Sequence, residues 1–210
     1  MLEKIFDMNV PKTESWREKD DRTWRIGGDA ELAWIREHTE VSRAITSAIP
    51  AGFEAYATLE LPGTGEHDQQ SSLEDPDRHD AALLSVLIEH TGSQPWWLGY
   101  LDTGASDVIF CDAPKVALFP THNYVMIEAG PAQAESWRSE RNRGKGALPD
   151  LMFPADRSWL LSTLWDDDWI CIGGSRALVD SLLAHADLRH RVRRVDPSDE
   201  DVTPPGHTSI

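Results

Sequence analysis

Apolar residues recur along this chain in two rhythms, one of period two and one of three to four, so strands and helices are both expected. The clearest run is residues 158–183. From Ser158 to Trp165, alternation puts Trp159, Leu161, Thr163 and Trp165 on one face of a strand and Leu160, Ser162 and Leu164 on the other. Both faces are mostly apolar, which predicts a strand inside a sheet that is covered on both sides. Asp166, Asp167 and Asp168 follow as a turn, because Asp is among the few side chains that tolerate a positive φ. A second strand, Trp169–Ile172, sets Ile170 and Ile172 opposite Trp169 and Cys171. Gly173 and Gly174 end it. Ser175 is a fitting N-cap for a helix whose Leu178, Val179, Leu182 and Leu183 form an apolar stripe. That stripe requires the helix to fold back on the sheet.

Elsewhere the pattern is looser. Residues 1–28 are polar and charged, with Trp16 and Trp24 as anchors. Asp29 is placed to cap a long helix that runs to about Ile49, with Leu32, Ile35, Val41 and Ile45 inward, before Pro50 and Gly52 stop it. A strand is expected at Phe53–Leu61, then an acidic loop over 62–80, then a helix near His79–His90. Four short strands follow, at Trp96–Asp102, Asp107–Cys111, Lys115–Phe119 and Tyr124–Glu128, and their short connectors make neighbours antiparallel. Pro131 opens a helix to about Arg138, and Arg138–Lys145 reads as a basic surface loop. The cations of Arg189–Arg194 suit the C-terminal end of the last helix dipole. Together these elements predict one α+β domain over residues 1–195, with the acidic loop 62–80 inserted and an acidic, proline-bearing tail at 196–210. Its sheet is mostly antiparallel, of six or seven strands, with three or four packed helices.

Composition narrows the function classes. The 210 residues include nine tryptophans and carry a net charge of −16. Such a charge opposes binding to nucleic acid or to an acidic membrane, and it favours encounter with a basic protein partner. Cys111 and Cys171 each fall inside an expected strand, with no C-x-x-C between them. They read as two buried thiols in a reducing compartment, and the location expected is cytoplasmic. The first residues lack the apolar run of a signal peptide, and no segment reaches membrane-spanning length. The pattern leaves the oligomeric state open.

Several stretches are candidates for chemistry. Tyr100-Leu101-Asp102-Thr103-Gly104-Ala105-Ser106 resembles the active-site signature of retroviral-type aspartic peptidases, two apolar residues followed by D-T-G-A-S. The resemblance implies a homodimer in which Asp102 of each copy shares a proton with its mate, Thr103 ties the paired loops together and Gly104 lets the backbones approach. Ile170-Cys171-Ile172-Gly173 loosely resembles that family's second signature, although no Gly-rich flap hairpin lies between the two. Phe153-Pro154-Ala155-Asp156-Arg157-Ser158-Trp159, with Trp169 to Ser175 downstream, is similar to a pattern in bacterial proteins of unassigned function. That likeness implies no activity.

Other motifs offer binding more readily than catalysis. Gly173-Gly174-Ser175 at a strand-to-helix junction has the form of an anion site, but it lacks the lysine of a P-loop and the third glycine of a dinucleotide fingerprint, so capping is the favoured reading. His67, His79, His90 and His122 are scattered and form no metal-ligand spacing, so neither a metal nor a cofactor is expected. Consecutive Trp96 and Trp97 must point to opposite faces of a strand, one into the core and the other toward a helix, a partner or a ligand. Trp165 and Trp169, which flank Asp166, Asp167 and Asp168, have the composition of an aromatic anchor ringed by acids. The leading expectation is a non-enzymatic binding or accessory protein, immunity-like, that meets a basic partner through an acidic surface bearing these tryptophans. The alternatives are a peptidase using Asp102 and a small-molecule binder with an aromatic pocket at Trp96 or Trp97.

Overall fold

A computed structural model describes residues 15–39, 42–62, 76–104, 108–119, 122–138, 148–163 and 169–205. Ten strands form one antiparallel sheet: β1 (Trp16–Lys19), β2 (Arg22–Ile26), β3 (Ala55–Glu60), β4 (Trp96–Leu101), β5 (Val116–Phe119), β6 (His122–Ala129), β7 (Leu151–Pro154), β8 (Leu160–Ser162), β9 (Trp169–Gly174) and β10 (Val192–Val195). Their order across the sheet is β1-β2-β6-β4-β7-β8-β9-β3-β10, with β5 also on β6. Four α-helices accompany them, α1 (Asp29–Arg36), α2 (Pro76–Glu89), α3 (Pro131–Ser136) and α4 (Arg176–Ala184), together with a 3₁₀ turn at Ile45–Ser47. The α+β class and the antiparallel sheet are as expected. The counts of strands and of helical segments both differ from the expectation.

Two apolar layers sandwich the sheet. On the front face, α2, α3 and α4 cover Ala57, Leu98, Val125, Met152, Trp159, Leu161, Ile170 and Ile172. On the back face, α1 and the segment around Ile45–Ile49 cover Tyr56, Trp97, Met126, Leu151, Phe153, Leu160 and Cys171. The central stretch is the core of this arrangement. β8 and β9 pair antiparallel, Leu161 opposite Ile172, and the two faces divide as their alternation requires. Ser175 caps α4, its hydroxyl accepting from the Leu178 N–H at 3.1 Å. The α4 stripe closes on the front face with Leu178, Val179 and Leu182 all but fully buried. Gly173 is needed on the other side, because a Cβ there would come within 2.5 Å of Ile49 and Phe53.

The differences have local causes. β1 and β2, hidden in a charged segment, are joined by Asp20 and Asp21, both with φ near +55° (54° and 57°). Two residues of that kind make the tight hairpin turn that suits twisted strands. The long helix expected from Asp29 ends at Arg36, and Ala44 is extended before the 3₁₀ turn. Its apolar period continues past the break because Ile45, Ala48 and Ile49 face the same sheet. Asp29 is the first helical residue and not the cap. Gly28 takes that place, its N–H donating to the Glu31 carboxylate at 2.7 Å.

The described part of the expected strand at 107–111 is a turn. Phe110 has φ +55°, and the Ala113 N–H donates to its carbonyl. Cys111 is exposed there, so of the two thiols only Cys171 is buried. Residues 76–80, at the end of the expected acidic loop, are the first turn of α2. β10 occupies part of the arginine-rich stretch read as a helix trailer, Val192 opposite Leu59 and Arg193 opposite Thr58. Within the stretch read as a tail, Val202 packs against the back layer.

Candidate functional site

Asp102 closes β4. Its backbone N–H donates to the Asn123 carbonyl at 2.7 Å. One carboxylate oxygen accepts from the Gly104 N–H at 3.1 Å, and the other forms an ion pair with Lys115. Lys115 first, and the Gly104 N–H second, hold its carboxyl below the ordinary carboxylate range. This is the opposite of a dyad, in which a neighbouring carboxylate raises one of the two pKa values so that a proton is shared. Thr103 and Gly104 are exposed, with Gly104 at φ +79°. The stretch likened to the second peptidase signature lies in β9, separated from β4 by β7 and β8.

Trp96 and Trp97 both lie in the core. Trp96, 1% exposed, meets Trp159 edge-on at 4.9 Å, and the Trp159 indole N–H donates to the Thr91 hydroxyl at 2.8 Å. Trp97 is buried in the back layer under the Arg25 guanidinium, 4.9 Å from its ring centre. Both rings, expected one in the core and one toward a helix, a partner or a ligand, pack inside the two layers. Of the Trp and Asp cluster, Trp165, Asp166, Asp167 and Asp168 lie outside the described residues. Trp169 is half-buried beside the back layer.

The Asp156 and Arg157 motif is a turn between β7 and β8. Asp156 accepts from the Ser158 N–H at 3.0 Å. Arg157 takes φ +59° and lays its guanidinium over Trp34, 5.2 Å from the ring centre. These contacts shape the chain reversal. Among the described residues, no group of three or more His, Cys, Asp or Glu is placed to hold a metal, and no helix is long and apolar enough to cross a membrane.

The feature that alternation alone did not single out is polar and buried. Thr58 of β3, Cys171 of β9 and Ser162 of β8 form one row across the back face, Thr58 opposite Cys171 and Cys171 opposite Ser162. Thr58 and Ser162 are 0% exposed. Neither hydroxyl finds a hydrogen-bond partner among the described residues. Arg193 of β10 extends the row beyond Thr58. Two residues along β3, Glu60 pairs with Arg191 at 3.2 Å, the side chains 3% and 2% exposed. A second, partly buried pair sits where β4 ends and β7 begins. Arg138 meets Asp150 through two bonds of 3.2 and 2.7 Å, and Asp150 also accepts from the Leu101 N–H. Arg138 lies under Tyr100, 5.1 Å from the ring centre, so it does not open the surface loop expected of it. Burial pushes the Tyr100 hydroxyl far above the ordinary phenol range, with Arg138 pulling partly back.

One signal for the row was present in the sequence. Thr58 and Glu60 fall on the face of β3 opposite Ala57 and Leu59, and a strand in the middle of a sheet has no solvent face on which to put them. No family model, curated protein or solved structure matches the chain.

Proposed function

We propose that this chain is a non-enzymatic binding or accessory protein that recognises a basic protein partner through an acidic surface. The observation that supports the reading is where the cations go. Arg36 pairs with Asp29, Arg78 with Asp187, Lys115 with Asp102 and Arg194 with Asp180, while Arg138 and Arg191 are buried with carboxylates of their own. Cations engaged in this way are not offered to an acidic partner, and the chain's net charge of −16 sets the sign of the field outside. A field of that sign speeds encounter with a basic protein, and aromatic side chains next to the acids supply contact area once the surfaces meet. Trp169, at the start of β9, is the half-buried aromatic that follows Asp166, Asp167 and Asp168 in the chain.

The experiment is capture on the purified full-length chain, identification of the partner, and a titration of the purified pair. Affinity falls about tenfold or more as salt is raised from about 0.05 to 0.5 M. It falls again when Asp166, Asp167 and Asp168 are all replaced by Asn. Affinity that ignores both changes would overturn the proposal. The aspartic peptidase reading has less support, because Lys115 keeps Asp102 ionised.

A further inference from the structure

Two neighbouring hydroxyls that find no partner among the described residues, inside a sheet, are costly. Valine fits the same space as threonine and leaves nothing unsatisfied, and buried polar groups in folded proteins are nearly always paired. Thr58 and Ser162 lie on the same face, on either side of Cys171, so they form a strip and not two isolated lapses. At its outer end the strip meets Arg193, the cross-strand neighbour of Thr58.

The C-terminal segment is what engages Arg193. The Nη1 of Arg193 donates to the Thr203 carbonyl at 2.9 Å and reaches the Asp201 carboxylate at 3.4 Å. Val202, between them, packs against the back layer. The segment is preshaped to present these oxygens. The Thr203 N–H and hydroxyl both donate to the other oxygen of Asp201, at 3.1 and 2.6 Å, which leaves its partner oxygen for the arginine. Its hold is weak. The Arg193 and Asp201 side chains are 37% and 55% exposed, and ion pairs so open to water contribute little.

We propose that Arg193, Thr58 and Ser162 form a ligand strip for a small oxyanion that carries hydroxyl groups, and that Asp201 and Thr203 occupy its arginine end as an internal stand-in. A carboxylate oxygen and a carbonyl oxygen on one guanidinium imitate the head of such a ligand. With strands spaced about 4.8 Å apart, Ser162 lies roughly 14 Å across the sheet from Arg193. A lone oxyanion therefore reaches Arg193 and Thr58, and a hydroxylated body is needed to reach further. The charge of the strip selects the head. Glu60 and Arg191 offset each other alongside it, the Thr58 and Ser162 side chains carry no charge, and Arg193 is the cation that becomes available when the segment lifts. This site is independent of the acidic surface proposed above, so either can fail alone.

The test uses the full-length chain, titrated calorimetrically with inorganic phosphate and with a sugar phosphate. Asp201→Asn weakens the stand-in and is expected to tighten sugar phosphate binding about tenfold, the worth of one charge-assisted contact. Arg193→Met and Thr58→Val are each expected to weaken it by about tenfold or more. Thr58→Val keeps the shape of the core, so it reports even if Arg193→Met fails to fold. The sugar phosphate is expected to bind more tightly than inorganic phosphate. Three results would overturn the proposal: no binding to wild type or to Asp201→Asn, equal affinity for the two probes, or binding that neither Arg193→Met nor Thr58→Val alters, which marks an adventitious ion only.

Discussion

The two faces of the sheet solve the same burial problem differently. On the front, whole helices lay continuous apolar stripes on the strands, and several polar groups among them meet one another, while the Tyr100 hydroxyl finds no partner among the described residues. Trp159 donates to Thr91, and His90 hydrogen-bonds Ser181 between α2 and α4. On the back, cover comes from one two-turn helix, a 3₁₀ turn and extended chain, and beneath it the hydroxyls of Thr58, Ser162 and Tyr124 find no partner among the described residues. The front is organised for stability. The back sets Thr58 and Ser162 in one row across neighbouring strands where apolar residues would serve the fold better, and that alignment is what the front lacks.

The contrast can be broken at three strengths. The largest effect belongs to the front. Trp159→Ala removes the edge-on contact with Trp96 and leaves the Thr91 hydroxyl without its indole donor, at a cost of about 3–5 kcal/mol in chemical denaturation. A loss below 1 kcal/mol would show that the front is not the stabilising layer. On the back, Thr58→Val takes away a hydroxyl that bonds nothing among the described residues, so it raises stability by about 1 kcal/mol. Destabilisation there would mean that the hydroxyl is satisfied after all.

The smallest effect is at the margin between the layers. The folded-state pKa of Asp102 is depressed, so its pairing contributes fully above about pH 4 and is lost as pH falls through the folded value. Lys115→Met therefore lowers stability by less than about 1 kcal/mol at neutral pH, and the gap from wild type closes in acid. A gap that stays constant down to pH 2 would remove the ion pair as its cause.

What the sequence made legible follows the same division. The front layer was readable because two signals agree there, a period of two in β8 and β9 and a stripe with a serine cap in α4. The strands that escaped reading carry charge where apolar alternation would announce them. β1 and β2 span Trp16 to Ile26 with arginines, acids and a lysine between, and β10 reads as basic because only Val192 and Val195 of its four residues are buried. Asp20 and Asp21 held the clue for the first hairpin. The rule that Asp accepts a positive φ applies to them as it does to Asp166, Asp167 and Asp168. The ligand strip was hidden for another reason. Thr58 and Ser162 are single residues from strands separated by more than a hundred positions, and only the register through Cys171 brings them into one row.

The hairpin that begins the sheet order also bears on how copies of the chain treat one another. β1 is the terminal strand, and an antiparallel copy laid fully alongside it about a two-fold axis must place residues of equal parity opposite each other. For Trp16-Arg17-Glu18-Lys19 that sets Arg17 against Arg17 or Glu18 against Glu18, a repulsion either way. Among the described residues, this edge of the sheet is thus defended against self-pairing by like charges, with no need of a proline or a bulge.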